Sequence, residues 1–263
     1  RVSPTEAIIR WRSASVTDSV VFFGTSEAAL ASRVEDSALT LEHRVTVTGL
    51  NPSTKYFYSV GSSSERLTPN DGTYFFSTSP IGSKDTRIWV LGDSGRGNID
   101  AYSVKEGYLN FIKNDGRKAD LWLMLGDNAY FYGLDVEYQN GLFNVYPEIL
   151  RNTTLWPTLG NHDGSAKGFV VGEIPYYATF SLPRNGEVGG VASGTESYYS
   201  FDYGDIHFIC LNSYDEDRST GGLMAKWLES DLRANMKKWT IAFWHHPPYS
   251  KGTHDSDTEV ELI

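Results

Sequence analysis

Cysteine is nearly absent from this sequence. Cys210 stands alone in 263 residues, which excludes an intramolecular disulfide and any zinc site built on thiolates. No run approaches about 18 apolar residues, so no segment reads as a membrane-spanning helix. Basic runs are missing too. Lys and Arg total 23 against 33 Asp and Glu, and the net charge of −10 argues against nucleic-acid binding. No signal peptide is visible at Arg1, which leaves the compartment open. No internal repeat stands out. What is present is a globular composition, 40% apolar and 14% aromatic, which excludes a disordered chain. A chain of this length has room for two modest domains and needs no staples to fold. Its acidic balance suits a protein that gathers carboxylates around cations.

The composition shifts at Ser77–Asp85, a small, polar, Pro- and Gly-bearing segment that reads as a linker. Before it lie short β-branched and aromatic runs at Ala7–Trp11, Val20–Phe23, His43–Val47, Tyr56–Val60 and Thr73–Phe76. That spacing predicts a small β-sandwich, with no helix beyond a turn near Ser26–Ala31. Tyr56 opens a late strand just after the Pro52 turn, where its hydroxyl can reach back and lock a corner. Trp11 supplies core bulk on an early strand. The pattern resembles a fibronectin type III domain.

After the linker, strands alternate with helices. Strands are expected at Arg87–Leu91, Leu121–Leu125, Leu155–Leu159 and Thr240–Trp244, with a hairpin from Ser197–Tyr203 to Ile206–Asn212. Helical spacing covers Asp100–Asn114 and Leu223–Asn235. This is the grammar of an α/β layered domain. The expected organisation is multidomain: residues 1–79 as the all-β sandwich, 80–86 as linker, and 87–263 as the α/β domain.

Four of the α/β strands end in metal-ligand candidates: Asp93, Asp127, Asn161 and His245. Ligand sites in α/β sheets lie beyond the carboxyl ends of strands, so these tips are expected to meet on one edge. Two Asp, an Asn and a His form a mixed oxygen and nitrogen set, which fits two transition-metal ions sharing a carboxylate. The glycines at 92, 95, 126 and 160 permit sharp turns and close approach. Tyr130 follows Asp127 by one helical turn's spacing, and a phenolate is a hard ligand suited to ferric iron. Asp163 is placed to orient the imidazole of His162. Taken singly, each fragment has an ordinary structural reading. The ordered set does not arise readily by chance.

Gly92-Asp93-Ser94-Gly95, Gly126-Asp127-Asn128-Ala129-Tyr130, Gly160-Asn161-His162-Asp163 and Ala242-Phe243-Trp244-His245 resemble four of the five metal-binding blocks of purple acid phosphatases. That family belongs to the calcineurin-like metallophosphoesterases and often carries a fibronectin-like domain in front. The resemblance implies an α/β metallophosphoesterase domain, a β-sheet sandwich flanked by helices. It implies two metal ions per chain, Fe in the first site and Fe, Zn or Mn in the second. Asp93 and Tyr130 would bind the first ion, Asp127 would bridge, and Asn161 and His245 would bind the second. His246 competes with His245 for that role; the Pro two residues on favours His245. His162, with Asp163, and His254 would be the catalytic groups.

The implied activity is hydrolysis of phosphate esters, most simply an acid phosphatase attacking small phosphomonoesters with a metal-bound hydroxide. The alternatives are a phosphodiesterase or phospholipase-like enzyme on the same scaffold, or a non-catalytic binding protein that retains it. Tyr130-Phe131-Tyr132 and Tyr249 either flank a leaving group or pack. Arg96 either meets a phosphate or is a solvated loop residue. The leading domain reads equally as spacer, dimer contact or carbohydrate-adhesion module. The family's fifth block, Gly-His-x-His, is absent. Ser256–Glu259 reads as a capping box that opens a helix, so the chain is expected to continue past Ile263 and supply those ligands. As it stands it is expected to be weakly active or inactive. The resemblance implies a secreted or periplasmic location. Asn152-Thr153-Thr154 is a glycosylation sequon, a motif frequent by chance.

Overall fold

The structure is a computed structural model that describes residues 1–166 and 174–251. The chain divides into two compact units, Arg1–Lys84 with Glu148–Thr154, and Asp85–Pro147 with the chain from Leu155 onward. His254 and the capping box at 256–259 lie outside the described residues.

The first unit is an antiparallel sheet of β1 (Glu6–Gly24), β2 (Ser32–Thr48), β3 (Lys55–Gly61) and β4 (Phe75–Ser77), in the order β2-β1-β3-β4. The expected runs at Ala7–Trp11 and Val20–Phe23 are the two ends of one long strand. The polar stretch between them stays extended because it pairs with β2, but the register shifts between Arg12 and Thr17 and again before Ser19. Both ends of β1 pair with β2. Ser79 N–H donates to Ser3 O just before the strand, while Phe23 and Gly24 at its far end pair with Tyr58 and Phe57. The strand therefore doubles back over one core, which collects Ala7 and Ile9 with Val21, Val45, Val47, Val60 and Phe76. The sheet-rich architecture expected from sequence is thus built on one four-stranded sheet whose longest ladder is interrupted between Arg12 and Ser19. Near Ser26–Ala31 there is a tight Ser26–Ala29 bridge and no helix.

Two side chains pin this arrangement. His43 is buried and stacks on Trp11, ring centroids 4.6 Å apart. Its Nε2 and Nδ1 lie 2.7 and 2.8 Å from the hydroxyls of Ser13 and Ser19, on either side of the irregular segment. Burial holds the His43 pKa below its ordinary value. Tyr56 does what its position predicted: its hydroxyl accepts from Asn51 N–H at 3.0 Å and closes the corner before β3. The sequon Asn152 has an engaged side chain. Its Oδ1 accepts from Phe75 N–H and its Nδ2 donates to Glu148 O.

The second unit has two three-stranded sheets. One is β5 (Ile88–Leu91), β6 (Leu121–Met124) and β7 (Thr154–Pro157), in that order; the other is β8 (Tyr199–Tyr203), β9 (Ile206–Cys210) and β10 (Trp239–Phe243), ordered β10-β9-β8. β5 runs parallel to β6 and β9 to β10, while β8 and β9 form the expected hairpin. β6 is buried along its whole length, which is why it reads as an uninterrupted apolar run. The sheets meet through aromatics. Trp156 stacks on Phe201 at 3.7 Å, and Phe201 on Phe208 at 4.7 Å. Helix α1 (Ile99–Asp115) starts where the Asn98 side chain accepts from Ala101 N–H and stops at Gly116, with φ 74. Helix α2 (Leu223–Ala234) buries Met224, Trp227 and Asp231. No helix among the described residues is long and apolar enough to cross a membrane.

A buried charge cluster ties α2 to the second sheet. His207 Nδ1 lies 2.8 Å from Asp202 Oδ1, and Nε2 lies 2.7 Å from Asp231 Oδ2. Burial alone lowers the His207 pKa, but the two carboxylates outweigh it and raise it from 6.5 to about 9. Asp231 Oδ1 also accepts from Val191 N–H and Ser200 Oγ, and Lys237 approaches Asp202 at 3.4 Å.

Two predictions follow from this packing. Tyr56→Phe removes only the corner bond and destabilises the first unit by about 1 kcal/mol in denaturant titration. The imidazolium of His207 stabilises the fold fully below pH 6.5, and that contribution fades as pH rises through about 9. Melting temperature is expected to drop across that window, and His207→Gln to flatten the drop.

Candidate metal centre

The strand tips expected to carry ligands are neighbours in the second unit. β5 ends at Gly92-Asp93, β6 at Gly126-Asp127, β7 leads to Gly160-Asn161-His162, and β10 leads to His245. The first two loops are zipped together. Asp93 N–H donates to Gly126 O, Gly95 N–H to Asp127 O, and Tyr130 N–H to Gly95 O. Asp93 and Asp127 both sit in the left-handed region, with φ 55 and 53. Such a backbone costs a non-glycine residue free energy and persists where the surroundings over-determine it.

Gly126 has φ 86, and a Cβ there would lie 2.6 Å from His245 Nδ1. The absence of a side chain lets the imidazole lie flat against the loop. Gly160 plays the same part for Asn161, since a Cβ there would collide with the backbone nitrogen of Asp127.

His245 Nδ1 lies 2.7 Å from Leu125 O. A carbonyl oxygen only accepts, so Nδ1 carries the proton and Nε2 presents a lone pair. That lone pair faces Asn161 Oδ1 at 3.1 Å and Asp127 Oδ1 at 3.4 Å. Ligand atoms of Asp93, Asp127 and His245 all lie within 4.8 Å of one another. Acceptors therefore converge with no donor between Nε2 and its oxygen neighbours, which is the chemistry a cation satisfies. The fixed Nδ1–H is the outer hydrogen bond that orients metal-binding imidazoles. The donor set fits a metal group.

Tyr130 closes one side. Its hydroxyl donates to Asp93 Oδ1 at 2.9 Å. Burial, then the Asp127 and Asp93 carboxylates, push the phenol pKa well above its ordinary value; a bound cation inverts that local logic. Tyr130 does not reach the site by a helical turn from Asp127, as its spacing predicted. The positive φ of Asp127 breaks any helix there, and the contact is made through the loop.

His162 is adjacent. Its backbone N–H donates to Asp127 Oδ1 at 2.9 Å, and its ring lies 4.3 Å from that of Tyr130. Its Nδ1 lies 2.8 Å from Phe131 O, which leaves Nε2 facing Asp127 Oδ2 at 3.8 Å. Asp163 does not orient this ring, contrary to expectation. Its carboxylate is buried and accepts from Asn128 N–H, Asn128 Nδ2, Gly160 N–H and the Tyr138 hydroxyl. Burial pushes its pKa up to about 6 despite those bonds. Asp163 holds the Asn161 turn against the Asp127 loop, because backbone donors surround it. His246 points elsewhere: its Nδ1 lies 2.9 Å from Ser213 Oγ.

The residues missed from sequence are Leu125 and Phe131, which act through carbonyls, together with Tyr138 and Asn128. Carbonyls leave no sequence signal. Asn128 adjoins Asp127 within its block, which is the one sequence signal among the four. Gly126→Ala is expected to weaken metal binding roughly 10–100-fold, by displacing His245, while the protein stays folded. Equilibrium dialysis against zinc, alongside circular dichroism, checks this; unchanged affinity would show that the close approach is dispensable.

Comparison with known proteins agrees with this geometry. Residues 86–262 match the family model for calcineurin-like phosphoesterases, and residues 1–78 match that for the purple acid phosphatase N-terminal domain. Purple acid phosphatase 15 of Arabidopsis thaliana is 28% identical over 90% of this chain and 50% of its own length. The probable inactive purple acid phosphatase 9 of the same plant is 25% identical, over 80% of this chain and 37% of its own. This chain thus spans half or less of these relatives. A yellow lupin (Lupinus luteus) purple acid phosphatase structure shares the fold, with TM-score 0.67 and 18% identity over 95% of this chain and 50% of that one. With strand tips, acceptor cluster and family model in agreement, the chain belongs to the calcineurin-like phosphoesterases and carries a purple acid phosphatase N-terminal domain.

Proposed function

We propose that this chain is the metal-binding part of a dinuclear hydrolase that cleaves small phosphomonoesters. The observation that carries the reading is the convergence of acceptor atoms from Asp93, Asp127, Asn161 and His245. Asp93 and Tyr130 would hold a first ion, iron by family likeness, and Asn161 and His245 a second, iron, zinc or manganese. Asp127 would be shared. When bound, two such ions neutralise phosphoryl oxygens and lower the pKa of water to about 7.

The chain's own groups then do the following. The Asp127 carboxylate is nearly sealed from solvent and has one oxygen toward His245 and the other toward His162, so it can bridge. His162 donates its Nδ1 proton to Phe131 O and turns Nε2 to the site. With both ring nitrogens protonated, the Nε2–H can hydrogen-bond a phosphoryl oxygen or pass its proton to the leaving alkoxide as the phosphorus–oxygen bond breaks, which leaves the neutral ring with Nδ1–H still on Phe131 O. Asp163 acts one step back, fixing the turn that carries Asn161 and His162. No Ser or Cys nucleophile is required. His254 enters this reading by family likeness alone, as do export from the cytoplasm and the division at 80–86.

The decisive measurement is metal content with a visible spectrum. About two metals per chain and a colour that Tyr130→Phe removes would support ferric iron beside Tyr130. Two metals without colour would leave zinc or manganese in the first site. No metal would overturn the reading and favour a non-catalytic relative. Rates on aryl monoesters against diesters separate phosphatase from phosphodiesterase. His162→Ala is expected to cut turnover about 10²–10⁴-fold with metal content intact; loss of metal would make His162 a ligand instead.

A further inference from the structure

Arg96 follows Asp93 on the loop between β5 and α1. That loop is tied down at both glycines that flank Arg96. Gly95 is bonded on both sides, to Asp127 O and from Tyr130 N–H, and a Cβ on it would collide with the Asn128–Ala129 backbone. Gly97, with φ 62, lies so close to Asn140 that a Cβ would meet its carbonyl oxygen at 2.7 Å. Arg96 is therefore presented from a rigid backbone.

Its side chain lies over two aromatic rings, with the guanidinium carbon 5.1 Å from the Tyr130 centroid and 5.3 Å from that of Phe131. Stacking of this kind orders a guanidinium while leaving its planar N–H edge available for a carboxylate or phosphate. Among the described residues, Arg96 makes ring contacts only, with no hydrogen bond or salt bridge. In a chain with net charge −10, a pre-ordered cation without an anionic partner needs an explanation. Its position narrows the answer. The Tyr130 hydroxyl bonds Asp93 within the acceptor cluster, and Arg96 lies over the body of the same ring. An anion bound by Arg96 would sit beside the cluster and not inside it.

We propose that Arg96 is a specificity-determining residue that binds a second anionic group, phosphate or carboxylate, on the leaving group of the ester. This deepens the phosphomonoesterase reading and rests on it. The preferred substrates are then small phosphate esters that carry another anion near the scissile phosphate, over neutral aryl or alkyl esters.

The test uses full-length, metal-loaded protein and the variants Arg96→Ala and Arg96→Lys. Steady-state kinetics compare phenyl phosphate, 3-phosphoglycerate (a carboxylate as second anion) and fructose 1,6-bisphosphate (a phosphate). Calorimetry compares the binding of phosphate and pyrophosphate, and metal content and melting temperature are followed throughout. Arg96→Ala is expected to lower kcat/KM for the two-anion esters relative to phenyl phosphate by about 10–100-fold, mainly through KM. The same variant should narrow the pyrophosphate-over-phosphate preference, and Arg96→Lys should restore part of it, since lysine keeps charge without the fork. Which ester responds identifies the second anion. An equal effect on all three esters, or none, together with an unchanged pyrophosphate preference, would overturn the proposal. If no ester is hydrolysed, the phosphatase reading fails, and the pyrophosphate preference alone still decides the role of Arg96. Should Arg96→Ala misfold, Arg96→Lys decides by the same ratios.

Discussion

Nothing else at the centre holds without the close approach of the Gly126 backbone to the His245 ring. The ring can be this close because residue 126 has no Cβ, and being close lets Nδ1 reach the Leu125 carbonyl at 2.7 Å. That one bond decides which nitrogen keeps its proton. It therefore decides that Nε2 offers a lone pair to the space shared by Asp127 and Asn161. The strained backbones of Asp93 and Asp127 belong to the same constraint, because the loops that carry them are bonded to each other. The site is prepared by main-chain geometry first, and by side-chain identity second.

That ordering explains what could be read from the sequence. Strand ends followed by Gly-Asp, Gly-Asn-His or a lone His announce ligand candidates, since side-chain chemistry is written in residue names. The β6 run, the hairpin at Gly204-Asp205 and the capped helix α1 were legible for similar reasons, each having a local signal. Tyr56 was legible because a corner tyrosine has a fixed relation to the turn before it. The long-range partners were not. Asp163 next to His162 reads as its orienting carboxylate, yet adjacency in a turn sends successive side chains apart. Of the four donors that claim Asp163, three come from Asn128 and Tyr138, distant in the chain. The Tyr130 hydroxyl bonds Asp93 through a loop, and no helical face brings Tyr130 to Asp127. Likewise the single strand β1 looked like two, because a polar middle with a register shift resembles a connecting loop when its partner is unseen.

Electrostatics divides the second unit into two regimes. Around His207 every charge has its counter-charge, with both ring nitrogens and both carboxylates spent on one another and on Ser200, Val191 and Lys237. That cluster is closed and contributes to the fold. Around Asp93 the excess is of one sign, with acceptors facing acceptors. Such an arrangement works against stability unless something positive enters, and proteins tolerate it where function requires it. The contrast separates structural from chemical clusters more sharply than residue type does, since both contain two aspartates and a histidine.

The first unit has a different consequence, which concerns its birth. Its fold takes in Glu148–Thr154, with the Tyr58 hydroxyl donating to Arg151 O and Phe75 N–H to Asn152 Oδ1. A ribosome delivers residues 1–84 well before those partners exist. At about 5–20 residues per second, seconds pass before the chain that supplies these last few bonds exists. The unit is thus completed by chain that arrives only after the first ligand strands, β5 and β6, have already been made.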